Sequence, residues 1–233
     1  MKLAIMQPYI FPYIGYFSLI HSVDKFVFFD DVNFIKRGWI NRNKILSSKK
    51  ELLFSIPLKK ASQNKLINEI FIADEVPWED KLLRTIEHSY GREPGFIKAY
   101  PLIEEVVWYK AEKISELAKF SIMKICKYLE IERDFVNSSA LLGIDLNKRG
   151  QDRIIDICKN VDADTYNNAI GGMSLYSKDL FKENNIKLNF ISPIITPYNQ
   201  SSEKFISHLS IIDILMYNKK EDVIKMIESY EHV

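Results

Sequence analysis

The chain predicts an α/β fold, with a Rossmann-like, mainly parallel sheet in its N-terminal half and a more helical C-terminal half. Two observations predict it. The first thirty residues read strand, broken loop, short helix, strand, which is the layout of a βαβ unit. Further on, strand-like and helix-like segments keep alternating. At 233 residues, 47% hydrophobic and 27% charged, the chain is long enough to bury a substantial core and is ordinary for a globular protein.

The elements follow in order. "KLAIMQ" is a short buried strand closed by Pro8, and "GYFSLIHS" from Gly15 forms about two helical turns. "KFVFFD", rich in aromatic and branched residues, is the second strand. "RGWINRNKIL" reads as a basic loop. "ELLFSIPL" and "INEIFIA" are the third and fourth strand candidates. From Pro77, whose missing N–H costs nothing at a helix start, the pattern turns helical. The stretch from Pro101 to Ile131 reads as one long or two stacked helices. "DFVNSSALL" is a strand entering a loop, "QDRIIDICKNV" a helix, and "ADTYNNAIGGMSLY" a strand running into a loop. A short helix "KDLFKENN", a strand "IKLNFISPI" and two final helices complete the chain. It reads as a single domain over 1–233, sheet-rich over 1–75 and more helical over 76–233.

A net charge of +1 gives no global attraction to nucleic acid or anionic membrane, so an anion would need a local cluster. Cys126 and Cys158 have no metal or redox spacing and read as reduced core thiols. No apolar run reaches the roughly 18 residues of a membrane span, and no signal-peptide layout is visible, so a cytoplasmic protein is expected. The absence of HExxH, CxxC pairs, a P-loop and GxSxG argues against a zinc protease, a Walker NTPase and a typical serine hydrolase. No metal site is expected, and no pattern names a cofactor.

Five polar segments are candidates for chemistry. In "IMQPYIFPYIGYF", Gln7 and Tyr9 follow the first strand, Gly15 opens a helix, and Tyr13 and Tyr16 flank it with rings and hydroxyls. A proline-stiffened loop capping the core would look the same. In "FFDDVNFIKRGWINRNKI", Asp30 and Asp31 end the second strand, where a carboxylate pair could act as a base. Lys36, Arg37 and Arg42 could hold anionic oxygens, Asn41 could donate, and Trp39 could stack on a base or sugar. The plain alternative is a solvated charged hairpin. "NSSALLGIDLNKRGQDRI" carries Ser138 and Ser139 at a strand end and Asp152 and Arg153 at a helix start. "TYNNAIGGMSLY" carries Asn167, Asn168, Gly171 and Gly172, a recipe for a ligand loop or an ordinary turn. In "FISHLSIIDILMYN", His208 is the best placed of four histidines to move a proton, and Ser210 with Asp213 resembles a capping box.

Together, "IMQPYIFPYIGYF", "DKFVFFDDVNFIKRGWINRNKI", "YNNAIGGMSLY" and "FISHLSIIDILMYN" resemble the WbqC-like protein family over nearly the whole chain. The resemblance implies a place in bacterial surface polysaccharide clusters, including O-antigen loci with acylated or aminoacylated amino sugars. "PYIGYF" also resembles the HxGH region of nucleotidylyltransferases and class I synthetases, with Tyr13 and Tyr16 where the histidines would stand. A tyrosine brings no positive charge, and no KMSKS-like segment follows.

Three functions are weighed. The first is a transferase moving an acyl or aminoacyl group, glycyl for example, onto the amine of a dTDP- or UDP-linked amino sugar. Asp30, Asp31 or His208 would be its base, and the other residues named in the first, second, fourth and fifth segments its substrate contacts. The partners would be that sugar nucleotide and an activated acyl or aminoacyl donor, with no nucleic acid; a homodimer is compatible. The second is an ATP-dependent nucleotidyl or adenylate-forming transferase. The third is a non-enzymatic partner in polysaccharide assembly, which convergent polar groups at strand ends speak against.

Overall fold

The computed structural model describes residues 1–233. Its centre is a six-stranded sheet built from β1 (Lys2–Met6), β2 (Lys25–Phe28), β7 (Asp134–Asn137), β8 (Thr165–Ala169), β9 (Lys187–Pro193) and β10 (Tyr230–His232). Five of these strands run parallel, in the order β7-β2-β1-β8-β9, and β10 closes the β9 edge antiparallel. Counted along the chain, the parallel strands lie in the order 3-2-1-4-5, so the direction of winding reverses between β1 and β8. The α/β class and the mostly parallel sheet are as expected. The sheet draws on both ends of the chain: β1 and β2 come from the N-terminal part and the other four strands from beyond residue 130.

Helices cover both faces, which is why the strands are apolar on both sides. Leu3 and Ile5 of β1 and Val27 of β2 pack against α5 (Gly150–Asn160) and α6 (Lys178–Glu183). Ala4, Phe26 and Phe28 point the other way, into the larger core. That core includes α1 (Ile14–His21), α2 (Glu79–Tyr90), α3 (Phe96–Val107), α4 (Ile114–Tyr128), α7 (Ile211–Tyr217) and α8 (Lys220–Glu228). The Pro101–Ile131 stretch resolves into two helices: α3 starts upstream at Phe96 and carries Pro101 inside it, and α4 follows.

Three local expectations are corrected. The stretch expected as a basic loop folds from Arg42 as β3 (Arg42–Ser47) and pairs antiparallel with β4 (Lys50–Ser55). Asn43 and Ile45 turn inward while Arg42 and Lys44 stay half exposed, so the strand alternates but its inward polar residue hides the pattern. The third strand candidate therefore joins a hairpin outside the central sheet. The fourth splits into a 3-10 turn at Ile67–Glu69 and β6 (Phe71–Ile72), which pairs with β5 (Leu58–Lys59). Sequence length allowed a sheet strand there, but Asn68 and Glu69 turn the backbone before a second full strand can form.

Candidate functional site

Ligands of open parallel sheets lie beyond the carboxyl ends of the strands. At this edge stand Gln7 after β1, Asp30 and Asp31 after β2, Ser138 and Ser139 after β7, and Asn168 within the last turn of β8.

The adjacent carboxylates separate because successive residues of an extended chain face opposite ways. Asp30 is 1% exposed and turns toward α4, where Lys119 Nζ lies 3.0 Å from Oδ2 and the Ser139 N–H donates to Oδ1 at 3.2 Å. Asp31 turns toward α5. Arg153 Nη2 donates to its Oδ2 at 2.8 Å, and the Ser138 hydroxyl donates to its Oδ1 at 2.5 Å. Arg153 is held in turn by the Asp145 carbonyl at 2.8 Å. Both ion pairs are largely shielded from water, so neither is a loose surface bridge.

Asp31 and Arg153 form part of the wall of a cleft of about 560 Å³. Phe29, Val32, Leu66 and Ile154 supply apolar wall. Arg149 and the start of α5 supply positive charge, Lys148 is paired with Asp156 at 2.5 Å, and Ser139, Asn68 and Tyr176 supply neutral polar groups. Gly150 opens α5 at φ +53°, a conformation in which the missing Cβ matters. Burial raises the Tyr176 phenol above its usual value, against hydrogen bonds with Tyr166 and Asn168, so it stays a neutral donor.

The first, second and last motifs meet around the loop after β1. Asn43 Nδ2 donates to the Ile10 and Phe11 carbonyls at 3.1 and 2.6 Å. The Ser210 hydroxyl donates to the Phe11 carbonyl at 2.8 Å, and the Ile211 N–H donates to Pro12 at 2.9 Å. These bonds hold Phe11 at φ +43°, strained for a side chain of its size. His208, at φ +59°, sets its ring 5.7 Å from that of Tyr13. Tyr13 lies on Gly15: a Cβ there would come within 2.5 Å of its ring, which fills the space over the first turn of α1. Tyr16 donates to the Gln7 carbonyl at 3.1 Å and meets Tyr9 edge-on at 5.1 Å. Burial raises the phenols of Tyr9, Tyr13 and Tyr16, so all three remain protonated near neutrality.

Other expected site residues have different surroundings. Lys36 and Arg37 are exposed, and half-exposed Trp39 has Arg42 and Lys44 at 5.8 and 5.9 Å from its ring. Asn41 donates to the Ile56 carbonyl at 2.8 Å and Arg42 Nε to that of Gly38 at 2.8 Å, both within the hairpin region. Asn167 is buried and donates to Ser22, while Asn168 lies over Gly172, where a Cβ would meet its amide at 2.4 Å. Gly171 opens to free space. Ser210 caps α7. Asp213 is fully buried and accepts from Tyr90 at 2.7 Å, Tyr198 at 2.5 Å and Gln200 at 2.8 Å. Burial raises its carboxyl despite those three donors. No one cavity gathers all the expected residues: of the three expected bases, Asp31 is the one that lines the cleft.

The sequence reading left Asn68, Lys148, Arg149 and Tyr176 out of its candidate set. "NKRG" directly before a helix start was the available signal for the two cations. Nothing local marks Asn68, which reaches the cleft because its N–H is tied to the Asp30 carbonyl at 3.0 Å. Cys126 and Cys158 are buried, and burial pushes both thiols up to about 12. No group of three or more His, Cys, Asp or Glu is arranged to hold a metal ion, and no helix is long and apolar enough to cross a membrane.

Comparison with known proteins gives two results. The model of the WbqC-like protein family matches residues 7–225. A Mycobacterium tuberculosis (strain ATCC 25618 / H37Rv) protein, "Uncharacterized protein Rv1507c", is 27% identical over 219 residues, covering 92% of each chain. No solved structure matches the chain.

Proposed function

Because the chain belongs to the WbqC-like protein family, we propose that it transfers an acyl or aminoacyl group to the amine of a nucleotide-linked amino sugar during synthesis of a bacterial surface polysaccharide. The observation that carries this reading is the cleft at the carboxyl edge, where the Asp31–Arg153 pair, the Arg149 side chain at a helix start and apolar wall converge. Arg149 and the start of α5 suit the diphosphate of a sugar nucleotide, and the apolar wall suits its rings. The sugar amine attacks the activated carbonyl carbon. The new C–N bond forms, the bond to the leaving group breaks with its electron pair, and the ammonium proton passes to Asp31. Asn68 is the donor for the developing oxyanion. Arg153 and Ser138 are positioning residues that fix the orientation of Asp31. His208, Tyr13 and the Trp39–Arg42 face are the proposed contacts of the donor side.

The test is a thermal-shift and calorimetric titration with dTDP- and UDP-linked amino sugars, followed by mass analysis after adding an acyl or aminoacyl donor. The expected result is ligand stabilisation that Arg149→Ala weakens roughly tenfold, and product formation that Asp31→Asn abolishes while binding persists. No stabilisation by any of these nucleotides, in a protein that melts cooperatively, would sink the proposal. Pyrophosphate release from ATP on adding a carboxylic acid would point instead to adenylate chemistry, which the Tyr13 ring over the first turn of α1 disfavours.

A further inference from the structure

The segment that gives Leu66 and Asn68 to the cleft continues into Phe71 and Ile72, which line a second depression of about 560 Å³. The two share no lining residue. Its walls come from the small β5–β6 hairpin, the start of α2 and the connection between α3 and α4.

Two aromatic faces open into it. Phe71 and Tyr109 are each 42% exposed. Tyr109 is stacked on Phe120 at 3.8 Å and 12°, so one face is clamped and its orientation is fixed. Large rings left half in water forgo the stabilisation that burial would give. Around them lie seven charged side chains, three lysines and four carboxylates, which nearly balance, and Lys113 Nζ sits 5.7 Å from the Phe71 ring. Lys59 Nζ sits 3.0 Å from Glu75 and 3.6 Å from Asp74, and Lys110 Nζ 4.0 Å from Glu79. Glu112 adds a further carboxylate. The depression therefore selects neither an anion nor a cation. A protein partner would want contiguous apolar surface, and here the rings are interrupted by charge.

A fixed aromatic face bordered by balanced carboxylates and ammonium groups suits a ligand with a flat C–H face and a rim of hydroxyls. The ring's negative face attracts the polarised C–H bonds. The carboxylates accept from hydroxyls and the lysines donate to them. We propose that this depression is a saccharide-binding subsite taking a neutral pyranose ring against Phe71 and Tyr109. It is separate from the cleft and requires no nucleotide, so it stands whether or not the transfer reading does.

The test is saturation-transfer NMR on the purified protein with methyl β-glucoside, N-acetylglucosamine, rhamnose and cellobiose as probes. Transfer to ring C–H protons of at least one probe is expected. It should weaken roughly tenfold in Phe71→Ala and in Tyr109→Ala, with melting otherwise unchanged, and persist in Ile97→Ala, a substitution at an exposed side chain outside the depression. Absence of transfer to all four probes, or transfer that survives both ring deletions, overturns the proposal. So would a concentration-dependent dimer that Phe71→Asp dissolves, since the face would then belong to a second copy. Sugar binding without any response to sugar nucleotides would sink the cleft reading alone.

Discussion

Asp30 and Asp31 differ by one position and pair with different cations, with the Ser138 hydroxyl within reach of both. A two-residue acidic pair at a strand end was legible in the sequence as one paired site, and its splitting by the extended backbone was not. The partners were not, because Lys119 and Arg153 lie 89 and 122 residues away in the chain. Removing one member of a shielded ion pair leaves its partner's charge uncompensated. Arg153→Ala should therefore cost about 3–5 kcal/mol, read as a lower urea midpoint, and an unchanged midpoint would mean that water already reaches Asp31. His21 gives a pH signature. Burial lowers its imidazole below the usual 6.5 and Arg133 adds to this, against the opposing pull of Glu228. Its contribution to stability is thus complete above about 6.5 and is lost as the pH falls through the lowered value. Urea titrations at pH 7.5 and 5.5 should show a larger loss in the wild type than in His21→Gln; equal losses would mean that the folded imidazole titrates as it does in the unfolded chain.

At the scale of elements, the loop between β1 and α1 shows what turn residues alone do not reveal. Its prolines and glycine marked a rigid rim, and the strain at Phe11 follows from bonds supplied by β3 and by the residue capping α7. Asn43 satisfies two buried carbonyls at once. Asn43→Ala should cost about 1–3 kcal/mol, measured by thermal or urea unfolding. Because Ser210 shares the Phe11 carbonyl with Asn43, either donor still satisfies it when the other is lost, so the double substitution should cost more than the sum of the singles. The five parallel strands of the sheet were readable from their apolar runs, and β10 was not, because the chain's end reads as a continuation of the last helix. The β3–β4 hairpin was not, because Asn43 faces inward where an apolar residue would have declared the strand.

For the whole molecule, the order of strands was out of reach of local pattern. The segments were visible in sequence, but which strand neighbours β1 depends on chain closure over 160 residues, from Leu3 to Tyr166. The same holds for the site. The sequence suggests that all five polar segments converge on one pocket; three of them meet around Phe11 and Tyr13, and no single cavity gathers the five. The cleft itself draws on the start of α5, whose cations the reading had not chosen.

The last strand, β10, carries one further consequence. It runs antiparallel along β9, with the Val233 N–H donating to the Phe190 carbonyl at 2.9 Å and Phe190 returning the bond at 3.1 Å. Without it, a seven-residue ribbon of apolar and polar residues would present its open row of amides to any passing chain. Deleting residues 229–233 should leave the cleft intact and yet cause the protein to self-associate, visible as growing light scattering at constant secondary-structure content. A truncated protein that stays dispersed would show that β9 guards its own flank.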